Sequence, residues 1–214
     1  MDTKSKEIKL KAVVIDERDY NEYDKLITLI SDKIGKIKVY CFNVRRQKAK
    51  SISKTSLFCF GEYTLKENKD GYTFYEADIK DYFYEIAKDF NKYELAIEII
   101  KIASYFAQTN EESDKLLKLI VYTLNAIRDN KVDLFTIKQV FKARLLQIEG
   151  LAIESSDLKN IYNHIDDNVV YTWNEIQTRE LKKLYSFELD EDLRHKLERV
   201  VNSEYKEKVE KFYD

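Results

Sequence analysis

Apolar residues recur at every second position up to about Asp78 and at every third or fourth position after it. A period of 2 buries one face of a strand, and a period of 3.6 buries one side of a helix. The chain therefore divides into a β part followed by an α part. In the β part, strands are expected over Ile8–Asp16, Lys25–Ser31, Lys36–Phe42, a run from Leu57 through Leu65, and Tyr72–Ala77. Asp70-Gly71 separates the last two, and that pair accepts the positive φ of a tight hairpin turn. Short strands packed this densely, with a long connection between the third and fourth, predict a five-stranded OB-type barrel.

In the α part, Phe83, Ile86, Ala87, Phe90, Tyr93, Ile97, Ile100 and Ala107 predict one helix over Tyr82–Gln108. A second is expected over Glu111–Asp129. Its additional Leu119 and Val121 make it apolar nearly all round, which predicts the central helix of a bundle. A third spans Asp133–Glu149 and stops at Gly150. A short fourth follows around Leu158–Ile165, a fifth over Trp173–Leu184, and a last one beginning after Asp190, which is placed to cap it. The expected fold class is α+β, with a barrel domain over residues 1–79 and a helical bundle over 80–214.

Charge is unevenly spread. The net charge is only -2, yet residues 1–78 hold 16 Lys and Arg against 13 Asp and Glu, while the remainder holds 21 against 26. The stretch Lys33–Gly61 carries Lys33, Lys36, Lys38, Arg45, Arg46, Lys48, Lys50 and Lys54 and no acid. Within it, Ile37, Val39 and Cys41 alternate with Lys38, Tyr40 and Phe42, so one face is apolar and the other mixes cations with rings. Cations track a phosphate backbone and rings offer faces to bases, which is the chemistry of single-strand binding. A solvated basic edge would carry the same residues.

Other chemistries find little support. Glycines at 35, 61, 71 and 150 form no phosphate loop. His164 and His195 stand alone, and Cys41 and Cys59 lack metal spacing and read as buried thiols. No zinc, no other cofactor and no catalytic residue are expected. The acids Asp16, Glu17, Asp19, Glu22 and Asp24 read as a solvated loop, and a metal-dependent nuclease built on them is one rival reading. The opening "MDTKSKEIKLK" has no apolar core, so no signal peptide is expected, and no run approaches the ~20 apolar residues of a membrane span.

The order of parts, together with "ERDYNEYDKLITLI" at Glu17–Ile30, Gly35-Lys36-Ile37, then Arg45, Arg46 and Lys48, resembles the bacterial recombination mediator family RecO. Phe141, Arg144, Leu145, Leu146 and Gly150 are similar to a helix of that family, and Leu181–Tyr205 to its last helix pair. Many members carry four cysteines after the glycine of that third helix; this chain has none there and resembles a zinc-free member. The family's glycine before the arginine pair is Asn43 here, a residue that tolerates the left-handed conformation.

The resemblance implies a non-enzymatic mediator of DNA repair and recombination in the bacterial cytoplasm, associated with the nucleoid. It would bind single- and double-stranded DNA, anneal complementary strands, and act with RecR and single-stranded-DNA-binding protein (SSB) to help load RecA. A monomer is expected. Lys36, Lys38, Arg45, Arg46, Lys48, Lys50 and Lys54 are the candidate DNA contacts. In the helical part Arg128, Lys138, Phe141, Lys142 and Arg144 are the candidate contacts for the acidic SSB tail, with Phe141 and Leu145 as plain core the alternative. An adaptor using the basic loop for an acidic protein is the second rival reading.

Overall fold

The computed structural model describes residues 6–46, 51–69, 71–186 and 188–209. Its residues cluster into two compact units, Met1–Phe90 with Ile100–Val121, and Asn91–Ile99 with Tyr122–Asp214.

The first unit contains a closed barrel of strands β1 (Lys6–Asp19), β2 (Lys25–Ser31), β3 (Gly35–Cys41), β4 (Phe60–Asn68) and β5 (Gly71–Asp81), in the order β1-β2-β3-β5-β4. β1 is long enough to serve two neighbours. Lys6–Val13 pair with β4, and Ala12–Asp19 pair with β2 across an irregularity between Val14 and Asp16. β3 meets β5 in parallel at Val39–Tyr72 and Tyr40–Thr73, a short seam that closes the sheet into a barrel. Leu10, Ala12, Val14, Ile27, Leu29, Ile37, Val39, Cys41, Tyr63 and Leu65 fill the interior, following the alternation read from the sequence. Tyr63 is fully buried, and its hydroxyl lies 3.0 Å from the Lys54 carbonyl and 3.3 Å from that of Cys59.

Several element limits differ from expectation. β1 runs on through Asp19 instead of stopping at Asp16, because its second half pairs with β2. β4 begins only at Phe60, since Phe58 takes a left-handed φ of 69°. The first helix, α1 (Phe90–Phe106), starts eight residues later than Tyr82. Asp81 accepts the Phe83 amide at 2.9 Å, Phe83 adopts φ 51°, and a single 3-10 turn at Ile86–Lys88 ends on an extended Asp89. Phe90 is consequently 77% exposed and not core.

Beyond α1, the chain returns along the β2–β3 hairpin. Lys36 donates its amide to Gln108, Asn110 donates to Ile34, and Ser113 donates to Asp32. Gly35, at φ 64°, sits where a Cβ would collide with the Gln108 carbonyl, so a glycine is required there.

Helix α2 (Asp114–Asp129) is not apolar all round. Lys115, Lys118, Tyr122 and Asp129 form an exposed stripe opposite buried Leu116, Leu117, Ile120, Leu124 and Ile127. The second unit holds α3 (Leu134–Ile148), α4 (Ser155–Ile161), α5 (Asp167–Thr178) and α6 (Glu191–Lys208), with a separate 3-10 turn at Leu181–Lys183 where one longer fifth helix is expected. Asp133, Asp166 and Asp190 cap α3, α5 and α6 by accepting the amides of Thr136, Asn168 and Leu193. Phe141, Trp173, Ile176, Leu197 and Val201 are fully buried, and the Trp173 indole donates to the Ile153 carbonyl at 3.0 Å.

Candidate nucleic-acid interface

The pleat of β3 sends Ile37, Val39 and Cys41 into the barrel and Lys36, Lys38 and Tyr40 outward. The outward row is not uniform. At one end the Lys36 ammonium donates to the Ser104 carbonyl at 2.5 Å, and the Thr109 hydroxyl donates to the Lys36 carbonyl at 3.0 Å. That end is covered by the last turns of α1 and the chain that follows it. At the other end Lys38 is exposed, Tyr40 is half-buried and Phe42 is 54% exposed.

After β3 the chain turns sharply. Asn43 adopts φ 58° and donates its amide to an Asp24 carboxylate oxygen at 2.7 Å. That hydrogen bond, then the Asn21 amide, then the charge of Arg46, hold the Asp24 carboxyl below the usual carboxylate range. Val44 is buried in the barrel core and anchors the turn. Arg45 is tied to the β1–β2 connection three ways. Its amide donates to the Tyr23 carbonyl at 3.0 Å, one guanidinium nitrogen donates to the Asn21 carbonyl at 3.1 Å, and the other pairs with Asp19 at 2.9 Å. Arg46 is exposed, with its guanidinium 5.3 Å from the centre of the Tyr23 ring.

The remaining candidates separate. Lys48 and Lys50 lie outside the described residues. Lys54 sits in a 3-10 turn, and its ammonium donates to the Ala77 carbonyl at 2.6 Å. The structure therefore brings Lys38, Arg45 and Arg46 onto one strand and the turn that continues it, while Lys36 and Lys54 hold other parts of the first unit together.

Two aromatic residues of this surface escaped the sequence reading. Tyr20 lies edge-on to Tyr40 at 5.5 Å, and Tyr23 carries Arg46. Their signal was the tyrosine pair inside the acidic run, which reads as a loop until β1 and β2 are joined. The acids of that run have structural partners: Asp16 with Arg18 at 2.8 Å, Glu17 with Lys25 and with the Leu57 amide at 3.1 Å, Asp19 with Arg45, and Asp24 with Asn43. Asp16, Glu17 and Asp19 lie in β1 and not in a loop, while the stretch from Arg18 to Tyr23, Glu22 included, is exposed as expected. Among the described residues no three His, Cys, Asp or Glu side chains are grouped so as to hold a metal ion. Both cysteines are buried, and burial pushes each thiol up to about 12.

In the second unit, the residues proposed for a partner occupy different layers. Phe141 is fully buried. Lys138 pairs with Glu98 at 2.7 Å, and the Lys142 ammonium lies 4.8 Å from the Tyr205 ring centre and 3.5 Å from Asn202. Arg144 donates to the carbonyls of Ile176 and Gln177 at the C-terminal end of α5, and burial lowers its pKa. Arg128 donates to Asp129 at 2.9 Å and to Asn125 at 2.6 Å. Of the five, Lys138 and Lys142 share the half-exposed side of α3.

Residues 4–83 match the family model described as "Recombination protein O N terminal". A DNA repair protein RecO of Clostridium novyi (strain NT) is 31% identical over 153 residues, covering 68% of this chain and 57% of that protein. One from Acetivibrio thermocellus is 26% identical along a 234-residue alignment, covering 96% of this chain and 93% of the relative. One from Clostridium kluyveri is 26% identical over 145 residues, 68% of this chain and 56% of the relative. The matches with the two Clostridium relatives thus span less than two thirds of those proteins. No helix among the described residues is long and apolar enough to cross a membrane.

Proposed function

This chain belongs to the RecO family, and from that premise we propose that it is a non-enzymatic DNA repair and recombination mediator. The observation that supports the reading most directly is the open end of the β3 face, where Lys38 and Arg46 stand beside exposed rings on a closed five-stranded barrel. Strands 2 and 3 of such barrels, with the loop before them, commonly receive oligonucleotides. Lys38 and Arg46, joined by Lys48 and Lys50, neutralise phosphates of single- and double-stranded DNA, and Arg45 stands beside them held by Asp19 in the free protein. Contacts of this kind position a strand without reading its sequence, which suits a protein that anneals any complementary pair.

We assign DNA binding to residues 1–79 and partner binding to residues 80–214. The partners are those of the family resemblance: RecR, the acidic C-terminal tail of SSB, and RecA indirectly, in the bacterial cytoplasm. On α3, Lys138 and Lys142 supply the cations for an acidic tail, with Phe141 and Arg144 supporting the helix from beneath and Arg128 lying before it. A strand-annealing assay with and without SSB tests the function. Faster annealing of complementary strands, persisting on SSB-coated DNA, is expected. A chain that neither anneals strands nor binds oligonucleotides at low salt would refute it.

A further inference from the structure

The barrel leaves aromatic surface in water that its core does not use. The Phe42 ring, 54% exposed, lies 6.4 Å from that of Tyr40 and only 13° from parallel. Tyr20, 53% exposed, meets Tyr40 edge-on at 73° and so limits how far that ring can swing. The surface is held in shape from two directions. Asn43 donates to Asp24, Tyr20 donates its amide to the Asp24 carbonyl at 3.1 Å, and Arg45 donates to the Tyr23 carbonyl. These bonds clamp the β1–β2 connection to the turn after β3, so Tyr20, Tyr23, Tyr40, Phe42 and Arg46 form one patch.

Rings held this way lose little freedom when something flat lands on them, which is what preorganisation contributes to affinity. The flat groups that suit them are nucleobases. In a duplex each base face is already covered by its neighbours, and only backbone and edges remain for a protein. In a single strand the faces can be uncovered, and every base has one, so stacking tolerates any sequence. Lys38 and Arg46 flank the rings where a backbone would pass.

We propose that Tyr20, Tyr40 and Phe42 form a stacking platform for consecutive unpaired bases, so that this face favours single-stranded over duplex DNA. The proposal rests on the DNA-binding reading above and names the form of DNA it selects. Cations alone would give the opposite preference, because a duplex carries the denser line of phosphates.

The test uses the full chain, an oligothymidylate and a duplex of equal length, with wild type, Phe42→Ala, Tyr40→Ala/Phe42→Ala and Phe42→Trp. Removing the rings should weaken single-strand binding about tenfold or more and change duplex binding less than about twofold. The log-log salt slope should stay at its wild-type value, because stacking releases no counterions. Phe42→Trp should bind the single strand at least as tightly as wild type. Equal losses on both DNA forms, or unchanged single-strand affinity in the double variant with an unchanged unfolding midpoint, would overturn the platform alone. Wild type that binds neither DNA form would overturn the DNA-binding reading with it.

Discussion

Arg45 pairs with Asp19, nitrogen to oxygen at 2.9 Å, so that a cation of the turn after β3 is answered by the last residue of β1. A carboxylate in that position offers the guanidinium what a phosphate would offer. Asp19→Asn should therefore release Arg45 for DNA, raise affinity at low salt, and steepen the log-log salt slope by up to roughly 0.7 on single strands. Titrations at several salt concentrations check this; an unchanged slope places Arg45 outside the DNA contact.

Among the described residues no carboxylate pairs with the Arg46 guanidinium, which lies over Tyr23. Arg46→Ala should lower the salt slope by roughly 0.7 on single strands and roughly 0.9 on duplex, about equally for unrelated sequences. Lys36→Ala should leave both slopes as they are, because its ammonium is held by Ser104. Lys36→Ala is expected to show itself in thermal unfolding.

Lys25 is nearly buried and pairs with Glu17, whose other oxygen accepts the Leu57 amide at 3.1 Å. Removing one member strands the other. Glu17→Ala should cost about 2 kcal/mol in urea unfolding, below the roughly 3–5 kcal/mol of fully buried pairs because the Glu17 side chain is 30% exposed. The same pair argues against Glu17 as a metal ligand, so added magnesium or manganese should leave the unfolding midpoint unmoved.

The Asp24 carboxyl is held below its ordinary range by the Asn43 amide first and the Asn21 amide second. A depressed folded pKa contributes stability that is present above the unfolded value, near roughly 4, and is lost as pH falls through the folded value. The clamp between the β1–β2 connection and the turn after β3 should loosen in that window. Asp24→Ala should differ from wild type in unfolding midpoint at neutral pH, and the two should converge as pH falls below about 4.

Arg144 fastens α3 to the end of α5 through the carbonyls of Ile176 and Gln177. Arg144→Leu should cost about 2 kcal/mol by leaving two part-buried carbonyls without this donor. Arg144→Lys should recover only part of it, since a single ammonium cannot reproduce the guanidinium fork. Oligonucleotide affinity should be unchanged in both.

The alternation in β3 is legible in the residues themselves. Ile37, Val39 and Cys41 must share a face because successive side chains of a strand point to opposite sides, whatever the rest of the chain does. The caps at Asp133 and Asp190 and the left-handed Asn43 belong to the same class, each decided by a residue and its neighbours within a few positions. From such local rules come the five strands, the barrel class, the helices and the basic stretch. At the first helix one local rule meets a competing one: the apolar spacing from Phe83 continues the helical period, but Asp81 captures the Phe83 amide and the helix begins only at Phe90. What each cation does was not decided locally. Lys36 is taken up by Ser104, 68 positions away, and Lys54 by Ala77, 23 away, while Arg45 is answered by Asp19 across the barrel mouth. Composition gives these lysines and arginines the same charge. Only closure of the sheet and the return of the chain along the β2–β3 hairpin determine which charges are satisfied by carbonyls and carboxylates of the protein and which remain facing water.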